Sequence, residues 1–182
     1  SKADPNPAPN LEGAGFDEIV LQRKSRKNMG GFFGITSKED CLNEVFFGVD
    51  YHSHLGTKTG GIAAYDKEIG LQREIHKINN SPFRTKFEHV FEDMQGTSAI
   101  GCINDGDPQP LLVRTGLGVF AICMIGVINN SKELIDKHMF EVGGHYEAMT
   151  GGKINSTELV AALINQKRSF EEGIRYAQEL ID

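Results

Sequence analysis

A glycine-rich segment that runs directly into apolar residues constrains the fold of this chain most. It consists of Met29, Gly30, Gly31, Phe32, Phe33, Gly34 and Ile35. A short apolar and aromatic run of this kind is typical of a strand. We therefore predict a first strand over residues 29–35 and place the natural start of the domain at Met29.

The residues before Met29 have a different composition. Pro5, Pro7 and Pro9 lie among Asn and Ala, and such a segment cannot bury enough apolar surface to order itself. A short strand is predicted at residues 16–21, and four cations follow within residues 23–27. Because no aromatic residues interleave with these cations, a solvated hinge is the better interpretation. We expect residues 1–28 to be a flexible leader or extension and residues 29–182 to form one domain.

Charge and cysteine content limit the function classes. The 182 residues include 19 Lys and Arg against 25 Asp and Glu, a net charge of −6. This balance argues against a nucleic-acid or anionic-membrane surface. No apolar run approaches the ~20 residues of a membrane helix. Cys41, Cys102 and Cys123 lie among apolar residues and are interpreted as buried thiols. We expect a cytoplasmic protein that has no cofactor.

Helical periodicity follows the first strand. Ser37 with Asp40 three residues later indicates an N-cap. Four apolar residues then recur at i, i+3, i+4 and i+7 and predict a buried helix face that runs to about Leu55. His52 extends this face, but His54 lies about 200° round the helix, so the two imidazoles cannot hold one metal ion. We predict no metal site there. The four apolar residues are Leu42, Val45, Phe46 and Val49.

The rest of the chain alternates between predicted strands and helices. Pro82 suits a first helical position, and Asn155 and Ser169 are predicted helix caps. Residues 119–125 are apolar on both faces, which predicts a central strand that is covered on each side. The fold class is therefore a layered α+β domain. The predicted strands cover residues 62–65, 71–76, 98–103, 111–114 and 119–128, and the predicted helices cover residues 82–91, 131–140, 156–166 and 170–181.

Motifs at five places share the spacing of one family. They are residues 29–35, residues 51–56 followed by 60–63, residues 107–112, residues 126–134 and residues 157–160. They resemble the class II glutamine amidotransferases, most closely the glutaminase domain of the amidophosphoribosyltransferases. The resemblance implies the N-terminal-nucleophile fold, an αββα sandwich of antiparallel sheets. Since the family's domain continues with further strands, we expect the C-terminal part to be missing from this chain. A partner domain, a partner chain or a second copy would then complete the sandwich.

The resemblance places glycine where the family has its nucleophile. The family's first residue is a cysteine whose base is its own α-amine, and the matching residue here is Gly30. The Asn and Gly of the family's oxyanion motif read Ile125 and Gly126, so the side-chain donor is lost. The cation that binds the glutamine carboxylate is missing from the shortened stretch at residues 102–107. The Asp that binds the glutamine ammonium group reads Ser156, and a basic residue of a third motif reads Leu55.

These replacements predict a degenerate cleft. Its remnant substrate-binding residues are expected to be Gly60, Gly61, Asn130, Ser156 and Thr157. We predict a catalytically inactive glutaminase-like domain with a structural, regulatory or ligand-sensing role. Glutamine or another small amino acid is the expected ligand.

Two alternatives remain open. Asp105, Asp107, His52 and His54 are candidates for an altered site that binds a cation or an amine. The chain is also compatible with a glutamine- or ammonia-dependent amidophosphoribosyltransferase subunit of purine biosynthesis. In that case catalysis depends on parts outside this chain, because the sequence contains no phosphoribosyl-pyrophosphate loop.

Overall fold

The structure is a computed structural model that describes residues 30–56, 58–142, 149–150 and 153–182. It mixes helices with antiparallel sheets, which confirms the predicted α+β class. The strands are β1 (Gly30–Thr36), β2 (Thr59–Asp66), β3 (Gly70–Lys77), β4 (Ser98–Asn104), β5 (Leu111–Thr115), β6 (Gly118–Ile122), β7 (Met149–Thr150) and β8 (Lys153–Ile154). The helices are α1 (Leu42–Tyr51), α2 (Phe83–Phe87), α3 (Val90–Asp93), α4 (Ser131–Val142), α5 (Ser156–Ile164) and α6 (Phe170–Leu180).

The main sheet has four antiparallel strands in the order β1-β4-β2-β3. The central strand β4 pairs with β1 on one side and with β2 on the other. The predicted hairpin is β2–β3, and its turn is built by Asp66, whose carboxylate accepts the backbone N–H groups of Glu68 and Ile69. Gly70 closes the turn with a φ of +90°, which glycine adopts without strain.

Helices α1, α2 and α3 cover one face of the main sheet. Phe83 and Phe87 stack with ring centroids 4.4 Å apart, and both are fully buried. Phe46 of α1 packs against Phe83 at 5.6 Å. Burial of several aromatic and aliphatic side chains in one cluster is the main source of stability for this layer.

A second apolar cluster lies between the β5–β6 hairpin and helices α4 to α6. Its buried members are Ile128, Leu134, Leu159, Leu163, Ile164 and Ala177. The end of the chain is attached to this layer by hydrogen bonds, because Asn129 donates its backbone N–H to the carbonyl of Asp182 at 2.6 Å. In the part of the chain that the structure describes, every helix is too short or too polar to cross a membrane.

Several predicted boundaries in the first half need correction. Helix α1 begins at Leu42, and no side chain caps it. Ser37 accepts the N–H of Glu39 and Asp40 accepts that of Gly96, so neither predicted residue bonds the end of the helix. The helix ends at Tyr51 rather than near Leu55. The ring of His52 bonds the carbonyl of Gly48 at 2.7 Å, and the chain continues in short i to i+3 turns.

The helix predicted at residues 82–91 is two short helices, α2 and α3, and Pro82 precedes the first of them. The strand predicted at residues 16–21, the cations of residues 23–27 and the leader over residues 1–28 lie outside the described residues.

The strand pair predicted at residues 111–114 and 119–128 is confirmed as β5–β6, but its second strand is shorter than predicted, and the prediction that residues 119–125 form a central covered strand is wrong. Strand β6 ends at Ile122 and belongs to a two-stranded sheet, and Val119 is 50% exposed. The backbone of Met124 is bonded by the side chain of Gln109 instead of a third strand. An apolar composition on both faces therefore did not distinguish a covered strand from a hairpin strand that leads into a loop.

The caps predicted for the last two helices are confirmed, and the first of them supplies a test. Asn155 is 4% exposed, and its side-chain oxygen accepts the N–H groups of Thr157 at 2.8 Å and Glu158 at 3.3 Å.

We expect Asn155→Ala to lower the free energy of unfolding by about 1–2 kcal/mol, because it removes the acceptor of two helix-end donors. Urea unfolding followed by circular dichroism measures this change. Asn155→Asp keeps the acceptor and is the control, and an equal loss in both variants would contradict the capping role.

Candidate functional site

The candidate site is a cavity of about 240 Å³. It lies at the end of β4, between the loop before β5, the segment after β6 and the first turns of α4 and α5. The residues that line it are Asn104, Gly106, Asp107, Gln109, Met124, Ile125, Gly126, Val127, Ile128, Ser131, Ser156 and Thr157. Four predicted cleft residues are among them, namely Ile125, Gly126, Ser156 and Thr157.

Gln109 fixes the wall of this cavity. Its side-chain oxygen accepts the backbone N–H of Met124 at 2.6 Å, and its side-chain nitrogen donates to the carbonyl of Met124 at 3.0 Å. The side chain is 5% exposed. The Gln109 amide thus bonds both backbone groups of Met124, as a neighbouring strand would. It thereby positions the segment that carries Ile125 and Gly126.

The turn at Ile125 and Gly126 forms part of the cavity wall. Gly126 has a φ of +153°, a backbone conformation that residues with a side chain rarely adopt. The backbone therefore favours glycine here, although the space around the residue is open. Ile125 offers only an aliphatic side chain at the neighbouring position.

Gly30 lies beside this wall in the first position of β1. A Cβ atom added at Gly30 would lie 2.3 Å from the carbonyl oxygen of Ile103 and 3.0 Å from Cδ1 of Ile125. The first distance is far below van der Waals contact and involves backbone of the paired strand. A side chain at this position would therefore require the two strands to shift.

The first turn of α5 supplies the hydroxyl groups of the cavity. Thr157 is 2% exposed and Ser156 is half-buried, and the cap residue Asn155 fixes the direction of this turn. Ser131, at the start of α4, lies on the same cavity. Hydroxyl groups can donate or accept a hydrogen bond, so these residues provide polar contacts without a fixed charge.

The loop after β4 carries the acidic residues of the cavity region. Asp107 is half-buried and lines the cavity. Asp105 is bonded to Lys58, since its carboxylate accepts the Lys58 backbone N–H at 3.1 Å and its carbonyl accepts the Lys58 ammonium group at 2.9 Å. His52 packs where a Cβ of Gly31 would lie, on the helix-covered side of the sheet, and His54 is exposed. These four candidates for an altered ligand site are therefore not brought together.

Three predicted cleft residues lie outside the cavity lining. A Cβ at Gly60 would meet the ring of Phe83 at 2.8 Å, and a Cβ at Gly61 would lie 1.9 Å from the carbonyl oxygen of Gln109. The two glycines thus allow close packing on opposite faces of β2. Asn130 donates to the carbonyl of Leu180 at 2.7 Å and accepts the N–H of Asp182 at 3.1 Å, so its amide binds the C-terminal segment.

Two cysteines meet next to the cavity. The thiols of Cys102 and Cys123 hydrogen-bond to each other, and this bond together with burial raises the pKa of Cys102 above its ordinary value. The same bond lowers the pKa of Cys123. Cys41 is buried elsewhere and donates to the carbonyl of Gly96, and burial raises its pKa. Of the predicted buried thiols, Cys41 and Cys102 are fully buried and Cys123 is half-buried.

Sequence reasoning did not identify Asn104 and Gln109 as cavity residues. Asn104 is 4% exposed at the end of β4, and Thr59 donates its hydroxyl to the Asn104 carbonyl at 3.2 Å. Gln109 lies in a motif that the resemblance used, but its partner Met124 is 15 residues away. The sequence shows only that the Gln109 amide lies between Pro108 and Pro110. This pattern does not indicate which residue the amide bonds.

No protein-family model matches this chain, and no curated protein sequence matches it. Solved structures are similar to it in fold. One is the glutamine phosphoribosylpyrophosphate amidotransferase from B. subtilis complexed with ADP and GMP, with a TM-score of 0.68 and 22% identity over 84% of this chain and 33% of that chain. Another is the allosteric regulatory enzyme of purine biosynthesis, with a TM-score of 0.66, 23% identity and coverage of 84% and 33%.

The chain spans about a third of the length of these two structures. An identity of 22–23% establishes similarity of fold and leaves the chemistry of the site to be argued separately. On this basis, the chain shares its fold with the glutaminase domain of the amidophosphoribosyltransferases.

Proposed function

We propose that this chain is a glutaminase-like domain that does not hydrolyse glutamine and that acts as a structural, regulatory or ligand-sensing domain. The observation that carries the proposal is the environment of Gly30, which resembles the nucleophile position of the class II glutamine amidotransferases. A side chain there would overlap the carbonyl of Ile103. Without a thiol at this position the covalent route of the family is lost.

The other polar groups of the family's site are replaced as well. Ile125 stands where an amide would stabilise the oxyanion, and the loss of one such donor costs ~10²–10³ in rate. Ser156 stands where a carboxylate would bind an ammonium group, and a charged hydrogen bond of that kind is worth roughly 1.5–3 kcal/mol. The thiols of Cys102 and Cys123 lie within β4 and directly after β6, so neither has the α-amine of an N-terminal nucleophile as its base.

The remaining cavity suits a small polar ligand. Its volume of about 240 Å³ lies below the roughly 300–1,000 Å³ of drug-sized sites. Hydroxyl groups, the amides of Asn104 and Gln109 and one half-buried carboxylate line it, which fits an amino acid or a similar small molecule. We further propose that a partner domain, a partner chain or a second copy completes the sandwich, and that the protein is cytoplasmic, in line with cysteines that are free thiols.

The direct test is incubation of the purified chain with glutamine and measurement of glutamate. We expect release no faster than in buffer, because the nucleophile and its polar partners are missing. An active class II glutaminase in the same assay is the positive control. Glutamate release above background that scales with protein concentration would overturn the proposal, and the Cys102→Ser and Cys123→Ser variants would then show whether either thiol is responsible.

Gly30→Cys, made in a chain that begins at residue 30 so that the new thiol has its own α-amine, distinguishes a site that lacks only the thiol from a site that has no space for a side chain. We expect this variant to remain inactive and to be less stable by about 1–3 kcal/mol, because its Cβ overlaps backbone. Gly34→Cys is the matched control in the same strand, since a Cβ there would meet Cγ2 of Ile100 at 3.3 Å and no backbone atom closer than 3.8 Å. Glutaminase activity in Gly30→Cys would contradict this explanation.

A second candidate is a subunit of a glutamine- or ammonia-dependent amidophosphoribosyltransferase of purine biosynthesis. It is favoured by the fold and by the fact that the two structures described above are about three times as long as the matched region. A thermal-shift comparison of glutamine, glutamate and phosphoribosyl pyrophosphate separates the two candidates when it is made on a protein that joins this chain to the parts that the second candidate requires. The second candidate predicts stabilisation by phosphoribosyl pyrophosphate. The first predicts stabilisation by an amino acid alone, since a ligand that binds only the folded state raises the Tm.

A further inference from the structure

A glutamate and two histidines converge on the helix-covered side of the main sheet. Glu74 and His76 are two residues apart on the edge strand β3, so their side chains point to the same face. His89 lies in the turn between α2 and α3 and reaches the same place. Among the described residues, these three form the group of His, Cys, Asp and Glu side chains whose ligand atoms are close enough to hold one metal ion.

The distances are those of a small coordination site. One carboxylate oxygen of Glu74 lies 2.8 Å from Nε2 of His76 and 2.7 Å from Nε2 of His89. The three ligand atoms lie within 4.8 Å of one another. In a tetrahedral zinc site with bonds of about 2.0–2.1 Å, ligand atoms are about 3.3 Å apart. An ion would therefore require the two short contacts to open by about 0.5 Å, which rotation of side chains can supply.

Ring contacts position the two histidines, and all three side chains remain partly open to solvent. The ring of His76 meets Phe87 edge-on at 4.8 Å, and the rings of His76 and His89 lie 5.6 Å apart. The side chains of Glu74, His76 and His89 are 24%, 32% and 39% exposed, so an ion can enter and can keep water ligands.

The chemistry of the three side chains suits a cation. The Oε1 atom of Glu74 is the atom that both imidazoles contact, so one carboxylate lies between two nitrogen ligands.

We propose that Glu74, His76 and His89 form a binding site for a divalent transition-metal ion of the zinc class, with two imidazole ligands, one carboxylate ligand and water in the remaining positions. Two imidazoles and one carboxylate are a ligand set that zinc and its neighbours in the first transition row accept. The ion would join the edge strand β3 to the turn between α2 and α3. This site is on the other side of the sheet from the cavity, and the proposal does not depend on the proposed function.

The test is calorimetric titration of the chelator-treated full chain with Zn²⁺, together with visible absorption after addition of Co²⁺. We expect one equivalent of Zn²⁺ to bind with a micromolar or lower Kd, a Co²⁺ spectrum typical of four or five ligands, and a Tm that rises with Zn²⁺. Affinity should fall as the pH is lowered, because protons compete for the imidazoles.

Ligand variants and one matched control decide the assignment. His89→Gln and Glu74→Gln should each weaken Zn²⁺ binding at least 100-fold, since even the loss of an outer partner costs roughly 10–100-fold. His54→Gln removes an exposed histidine outside the group and should change the Kd by less than about twofold. Circular dichroism checks that each variant is folded. A Kd for the unmodified chain weaker than roughly 1 mM, or equal binding by His89→Gln and His54→Gln, would overturn the proposal.

Discussion

Replacement of Phe87 by alanine is expected to lower the free energy of unfolding by about 3–5 kcal/mol. The ring is fully buried, it stacks on Phe83 at 4.4 Å, and it supports His76 at 4.8 Å. Its removal leaves a cavity at the centre of the layer between the main sheet and α1 to α3, and the neighbouring rings can fill that cavity only in part. Urea unfolding, followed by circular dichroism, measures the loss.

Phe140→Ala is the control for this prediction. Phe140 is 93% exposed on α4, so its truncation should change the free energy of unfolding by less than about 0.5 kcal/mol. Should Phe87→Ala cost less than about 1 kcal/mol, the ring would not lie in a closely packed core, and the arrangement of α2 against the sheet would be wrong.

Replacement of Gln109 by alanine is expected to lower the free energy of unfolding by about 2–4 kcal/mol, because it leaves both backbone groups of Met124 without a partner. The same change should abolish any ligand binding by the cavity, since the segment with Ile125 and Gly126 loses its attachment. Urea unfolding measures the first effect. A thermal-shift series with amino acids measures the second.

Gln72→Ala is a closely matched control. The side chain of Gln72 also bonds both backbone groups of one residue, donating to the carbonyl of Gln95 at 2.6 Å and accepting its N–H at 3.4 Å. These bonds are at the surface, where water can replace the amide, so we expect a loss below about 1 kcal/mol. Similar losses in Gln109→Ala and Gln72→Ala would show that burial does not increase the role of Gln109.

The predictions that succeeded depend on local chemistry. The hairpin of β2 and β3, strand β4 and the caps at Asn155 and Ser169 follow from alternation, turn residues and capping side chains within a few positions. A side chain that accepts an N–H two or three residues later is determined by its own neighbourhood. Such features are therefore readable from sequence.

The predictions that failed involve partners far apart in the chain. Residues 123–128 were assigned to the end of a strand, but Gln109 bonds the Met124 backbone, and the segment forms part of the cavity wall instead. Asp40 was assigned as part of a cap, but it accepts the N–H of Gly96, 56 residues away. Apolar periodicity carries no information on which distant polar group competes for the backbone.

The candidate sites divide in the same way. The amino-acid sequence by itself determined that Gly30, Ile125 and Ser156 carry no thiol, amide or carboxylate, since a side chain that is absent cannot be supplied by folding. That glutamine hydrolysis would need these groups at these positions is what the resemblance predicts. Only the tertiary structure decided that Ile125, Gly126, Ser156 and Thr157 share one cavity while Gly60, Gly61 and Asn130 serve packing. It also brought His89 to Glu74 and His76, because that contact joins residues up to 15 positions apart on different elements. Proximity of this kind is set by the packing of helices on the sheet, which no local pattern specifies.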